Sequence, residues 1–163
     1  MNSDLYKRMV AGAVHDVLGP IGFKKRALSF SRSFPEVIQF VTIQSSVSST
    51  SAEVRLTLNL GVLIPSLSEH SERGDISSSQ WRMRLGQLLP ERSDRWWLLD
   101  STHMASVAAT EIVTSLVSYG LPQLDKLRSI PALVEMWHSG KSPGITAVQR
   151  TRYLEFLTNE RRA

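Results

Sequence analysis

Residues 54–62 carry the sharpest pattern in the chain. Val54, Leu56, Leu58, Leu60 and Val62 alternate with Arg55, Thr57, Asn59 and Gly61. Side chains of an extended strand point alternately to its two faces, so this stretch predicts a half-buried β-strand. Two shorter runs precede it. In 28–34, Leu28, Phe30 and Phe34 share one parity against Ser29, Ser31 and Ser33, with Arg32 on the apolar side. In 37–46, both parities are apolar, as expected of a central strand covered on both faces. The connections are short and polar, so the three strands predict an antiparallel meander.

The other apolar positions follow the helical period. Leu5, Met9, Ala13 and Val17, with Val10, Val14 and Leu18 beside them, predict a helix over 3–18 that Gly19-Pro20 stops. Trp81, Leu85 and Leu88 suggest a short helix closed by Pro90, and "ERSDRWWLLD" (91–100) a fourth strand. A long helix over 101–118 is expected to end at Gly120 and Pro122. A short helical turn around 121–128 follows, then helices over 130–139 and 145–158. Residues 66–79 are the most polar stretch and read as a loop.

Helix first, strands next, helices last is an α+β order. The expected fold is an N-terminal helix, an antiparallel meander of about four strands, and C-terminal helices packed on one face. The opposite face is left partly open unless loop 64–80 or a partner covers it. At 163 residues, with no linker and no repeat, the chain reads as a single domain, 1–163.

Composition narrows the possibilities. Cysteine is absent, so disulfides and thiolate metal sites are excluded. Lys7, Arg8, His15 and Asp16 interrupt the amino-terminal apolar positions, which excludes a secretory signal there. No apolar run reads as long enough to span a bilayer. The expectation is a cytoplasmic protein without membrane contact. A net charge of +4 mildly favours acidic partners without by itself arguing for nucleic acid.

Catalytic signatures are scarce. "SGKSPG" (139–144) ends like a phosphate-binding loop, but Glu135 stands where the first glycine belongs and a helix precedes it. It reads as a helix-ending turn. His15, His70, His103 and His138 have no ligand spacing, so neither metal nor cofactor is expected. His103, near Asp100 and Ser101, lacks a nucleophile elbow and reads as a polar residue beside a helix cap.

Basic residues cluster at Lys24, Lys25, Arg26 and Arg32, and again at Arg82, Arg84, Arg92 and Arg95, the second group adjoining Trp96 and Trp97. Arginine beside tryptophan suits a protein interface, and less often a nucleic-acid surface; a solvated face accounts for the same residues. Adjacent tryptophans on a strand must face opposite sides. One belongs in the helix-covered core; the other is expected to pack on the far side, against Trp81 or Arg84.

The order of short motifs resembles a bacterial family known as domain of unknown function 4304. The pieces are Gly22 to Lys25, Phe30 and Arg32, Ile43 and Gln44, Asn59 and Gly61, Arg82 to Gly86, Trp96-Trp97, and Leu121-Pro122. They span residues 5–130; the region from 140 to 163 looks like a helical extension of this chain's own. The resemblance implies no assigned reaction, though some similar small proteins act as immunity partners of toxins. It does suggest a polar constellation: Arg32, Gln44, Asn59 and Arg84 near Trp97 on the open sheet face, able to bind a ligand or partner. The reading favours a non-enzymatic binding or interaction protein, with a protein partner or self-association. The alternatives are an enzyme with a pocket on that face and a weak binder of nucleic acid or another anion.

Overall fold

A computed structural model describes residues 2–67 and 75–162, with side chains through residue 160. The polar loop expected at 66–79 lies partly outside these residues. Helix α1 (Asn2–Leu18) leads through a short turn, Gly19–Ile21, into six strands: β1 (Lys24–Arg26), β2 (Ser29–Ser33), β3 (Ile38–Ser45), β4 (Val54–Leu63), β5 (Trp81–Arg84) and β6 (Trp97–Leu99). All neighbours are antiparallel, in the order β1-β2-β3-β4-β5, with β6 also on β4. Strand β4 is long enough to share its second edge. Residues 59–62 pair with β5, and 54–56 with β6.

Register divides the side chains cleanly. Phe30, Arg32, Gln39, Val41, Ile43, Trp81, Trp97 and Leu99 share a face with the alternating Val54 to Val62 set. Helices α1 and α2 (Thr102–Ser115) pack on that face and close the main core. Ser29, Ser31, Phe40, Thr42, Gln44, Thr57, Asn59, Gly61, Arg82 and Arg84 point the other way. This second face carries no long helix among the described residues. Ile76 and Ser79 lie over Gly61 and cover part of it.

The α+β meander with helices on one face matches the expectation, with local differences. β1 is an added edge hairpin partner. Trp81–Arg84 is a strand rather than the start of a helix. Trp-Arg-Met-Arg satisfies the strand period as well as Trp81, Leu85 and Leu88 satisfy the helical one, and the free edge of β4 decides between them. A tight helical turn, Leu85–Leu88, follows, and the fourth expected strand shortens to β6.

The largest difference concerns the helix after β6. Ser101 caps α2 by accepting from the Met104 amide. Gly120 is right-handed helical, not a terminator, so a π turn (Leu116–Gly120) carries the helix into α3 (Leu121–Asp125). Widened turns absorb irregularities such as Pro122, which has no N–H to donate. The continuous run Thr102–Asp125 has 24 residues and a mean hydropathy of 1.3 in its most apolar window. By length and composition it could cross a bilayer, which overturns the expectation that no run approaches that length. Its inner side packs in the core, with Ala105, Ile112, Leu116 and Leu124 fully buried.

Helices α4 (Ile130–His138) and α5 (Ala147–Arg162) complete the chain. "SGKSPG" is the turn after α4, with Gly140 and Gly144 at positive φ. Trp137 and Leu157 anchor these helices to the core.

Candidate functional site

Two arginine-centred clusters emerge, one on each face of the sheet. The first surrounds Arg32. It sits on β2 facing the helices and is only 9% exposed. Its Nε and Nη2 donate to Gln39 Oε1 at 3.3 and 2.8 Å, its Nη1 to the Ile21 carbonyl at 3.3 Å, and Nη2 also to Asp125 Oδ1 at 3.2 Å. The guanidinium carbon lies 4.6 Å from the Phe23 ring centre and 5.0 Å from that of Phe34. Gln39, fully buried opposite Arg32, donates to the Leu124 and Leu127 carbonyls at the end of α3. It thereby ties β3 to the turn that ends α3.

Burial lowers the Arg32 pKa, against the raising effect of Asp125. The Asp125 carboxyl is held below the usual range, first by its hydrogen bond from Arg128 and then by that from Arg32. Gly22, at φ +97, brings Phe23 round to the guanidinium where a side-chained residue would be strained. Phe23 and Arg32, from two of the short motifs, thus meet Asp125, which lies 93 residues beyond Arg32 in the chain. The cluster ties β2 and β3 to α3. Its chemistry is largely self-contained: each guanidinium nitrogen of Arg32 has an acceptor within the fold.

The second cluster lies on the open face. Asn59 pairs in register with Thr42 on one side and Arg84 on the other. Its Nδ2 donates to Gln44 Oε1 at 2.6 Å. Arg84 Nη1 donates to Asp94 Oδ2 at 2.7 Å, and its guanidinium lies 5.1 Å from the Trp96 ring centre. Trp96 Nε1 donates to the same Asp94 oxygen at 3.2 Å. The Asp94 carboxyl is held below its ordinary range, mainly by the Arg84 hydrogen bond. Both charges are well exposed, at 37% for the Arg84 side chain and 47% for Asp94. A shallow pocket of about 390 Å³ opens beside them, walled by Asn59, Ser77, Arg82 and Arg84 among others.

The loop that presents Asp94 and Trp96 is positioned by Gly86. A Cβ there would stand 2.3 Å from the Ser93 carbonyl oxygen and 2.7 Å from the Arg95 amide. Only glycine lets the 85–88 turn pack against the segment that carries the indole.

The five expected site residues therefore divide. Gln44, Asn59 and Arg84 come together on the open face. Arg32 and Trp97 do not join them; both point to the helix-covered side. The two tryptophans do face apart, and the outer one meets Arg84 as expected, but it is Trp96. Trp97 is 5% exposed in the core, donates to Glu111 Oε2 at 3.0 Å, and lies under Arg95. Register explains the exchange: Trp97 pairs with Leu56, whose face is fixed by the alternating set. Asp94 and Trp96 are the members that sequence reasoning left out. Their only signal was adjacency to the second arginine cluster.

The chain belongs to the family described as domain of unknown function (DUF4304), whose model matches residues 14–126. That stretch contains Arg32 and Arg84 with their carboxylate partners and the whole sheet. It ends before α4 and α5. No curated protein and no solved structure matches the chain.

Proposed function

We propose that this protein is a non-enzymatic binding module that engages a protein partner with an acidic surface through the open face of its sheet. The observation that carries the reading is the row Gln44–Asn59–Arg84 with the half-buried Trp96 at its end. Arginine and tryptophan are among the side chains that most often anchor interfaces, and here they meet on a face that no long helix among the described residues covers. Lys24, Arg26, Arg55 and Arg82 share that face by register, so its charge is predominantly positive. Complementary charge would steer an acidic surface toward it. An immunity-type role, holding an acidic toxin surface, is one form this reading takes.

The chemistry on the face supports binding over turnover. The shifted carboxylates beside it, Asp75 and Asp94, both move downward, which keeps them ionised and unsuited to donating protons near neutral pH. The test compares affinity capture from the native cell by the wild-type chain and by the Arg84→Ala/Trp96→Ala double variant. The expected result is a protein, or the chain itself, retained by the wild type and lost by the variant. Identical captures would end the reading. Single-stranded oligonucleotide binding that falls steeply between low and moderate salt would replace it with a nucleic-acid role.

A further inference from the structure

A third feature lies on the other side of β5. Trp81 and Met83 face the helices there, at the edge of the sheet. Together with Leu88 and Met136 they form the apolar wall of a pocket of about 440 Å³. That volume is within the usual range for small-molecule sites. Arg92 and Lys141 also line it. Neither makes an ion pair among the described residues, and no carboxylate lines the pocket. Two solvent-exposed cations and two amides, Gln87 and Gln123, thus rim an apolar wall with no carboxylate among them.

Trp81 backs this recess: its side chain is fully buried, and its indole N–H, like that of Trp137, has no acceptor among the described residues. Arg92 is also held in the left-handed region at φ +46, one of two non-glycine residues with positive φ among the described residues. Such conformations concentrate at ligand-binding segments.

We propose that this pocket binds a free amphiphilic anion: a small molecule whose apolar body lies against Met83, Leu88 and Met136, and whose carboxylate or similar head lies between Arg92 and Lys141. The site is separate from the open face and does not depend on the reading given to it. Met136, Lys141 and Pro143 lie beyond the residues that the family model matches.

Octanoate is the probe, with 1-octanol and octyltrimethylammonium as neutral and cationic controls, titrated by calorimetry into the full chain. Octanoate is expected to bind at least about tenfold more tightly than either control. One of the indole N–H resonances of the four tryptophans should move as it binds. The Arg92→Gln/Lys141→Gln variant, altered only at exposed positions, should lose at least tenfold in affinity while its circular dichroism is unchanged. Met136→Trp, which fills the recess, should lose binding as well. Equal affinity for octanoate and octanol, binding undiminished in the double variant, or binding to phosphatidylglycerol vesicles without binding to octanoate would each overturn the proposal.

Discussion

Arg32 and Arg84 sit on strands of one sheet and have the same side chain, yet the fold uses them in opposite ways. Arg32 is enclosed by two aromatic rings and spends its donors on a buried amide, a carbonyl and a carboxylate. Arg84 stands in solvent with one carboxylate and one indole, and keeps donors to spare. The difference is which face of the sheet each occupies. Toward the helices, an arginine must be fully paired or the fold loses stability. Away from them, pairing adds little, and the side chain remains available to something outside the molecule.

The sharpest way to break this contrast is to remove Arg32. Arg32→Ala strips both donors from the buried Gln39 oxygen and empties the space beside Phe23 and Phe34. We expect a loss of about 3 kcal/mol in unfolding free energy, read from urea midpoints. Arg32→Lys should recover only part of it, because a point charge cannot reproduce the planar fork. A loss within experimental error of zero would show that the buried cluster does not hold β2 and β3 to α3.

Gly86→Ala probes the support of the open-face cluster. Its new methyl would collide with backbone atoms of Ser93 and Arg95, which cannot swing aside as a side chain can. We expect a cost of about 2 kcal/mol and a displaced Trp96, seen as a changed tryptophan fluorescence spectrum. Stability and spectrum both unchanged would mean that the loop is not held by this contact.

Acidification reads both clusters together. Asp125 and Asp94 ionise more readily in the folded protein than in the unfolded chain. Their contribution is complete above the unfolded carboxylate pKa of about 4 and is lost as pH falls through their lower folded values. Urea midpoints should therefore decline from about pH 4 downward. In the Asp125→Asn/Asp94→Asn variant that decline should be shallower.

The smallest effect belongs to the outer arginine. Arg84→Ala removes one exposed ion pair and one exposed cation–π contact, so stability should change by less than about 1 kcal/mol. A loss as large as that of Arg32→Ala would make Arg84 a structural residue and remove the basis for the open-face reading.

The elements were legible to different degrees for identifiable reasons. Strand β4 and helix α1 obey one period throughout, so nothing competed with their assignment. Residues 81–88 satisfy two periods at once, and only the unpaired edge of β4 chose the strand for 81–84. Gly120 and Pro122 look like a helix end because both usually are. A π turn and packing against Leu60 and Leu85 carry the helix past them. In the site, the nearness of Gln44 to Asn59 followed from the meander, while the pairing of Arg84 with Asn59 through β5 and the exclusion of Arg32 and Trp97 did not. Arg32 lies on the apolar parity of β2, which already marked it as helix-facing. The partner that makes this tolerable, Asp125, is 93 residues away.

By itself the sequence determined the α+β order, the antiparallel meander, the division of β4 into an inner and an outer face, and the need for adjacent tryptophans to part. These follow from local periodicity, which is written in consecutive residues. Only the tertiary structure decided which tryptophan went inward, which arginine was consumed by the fold and which was left for a partner. Those choices depend on strand register and on residues distant in the chain, and a buried charge survives only where such distant groups converge on it.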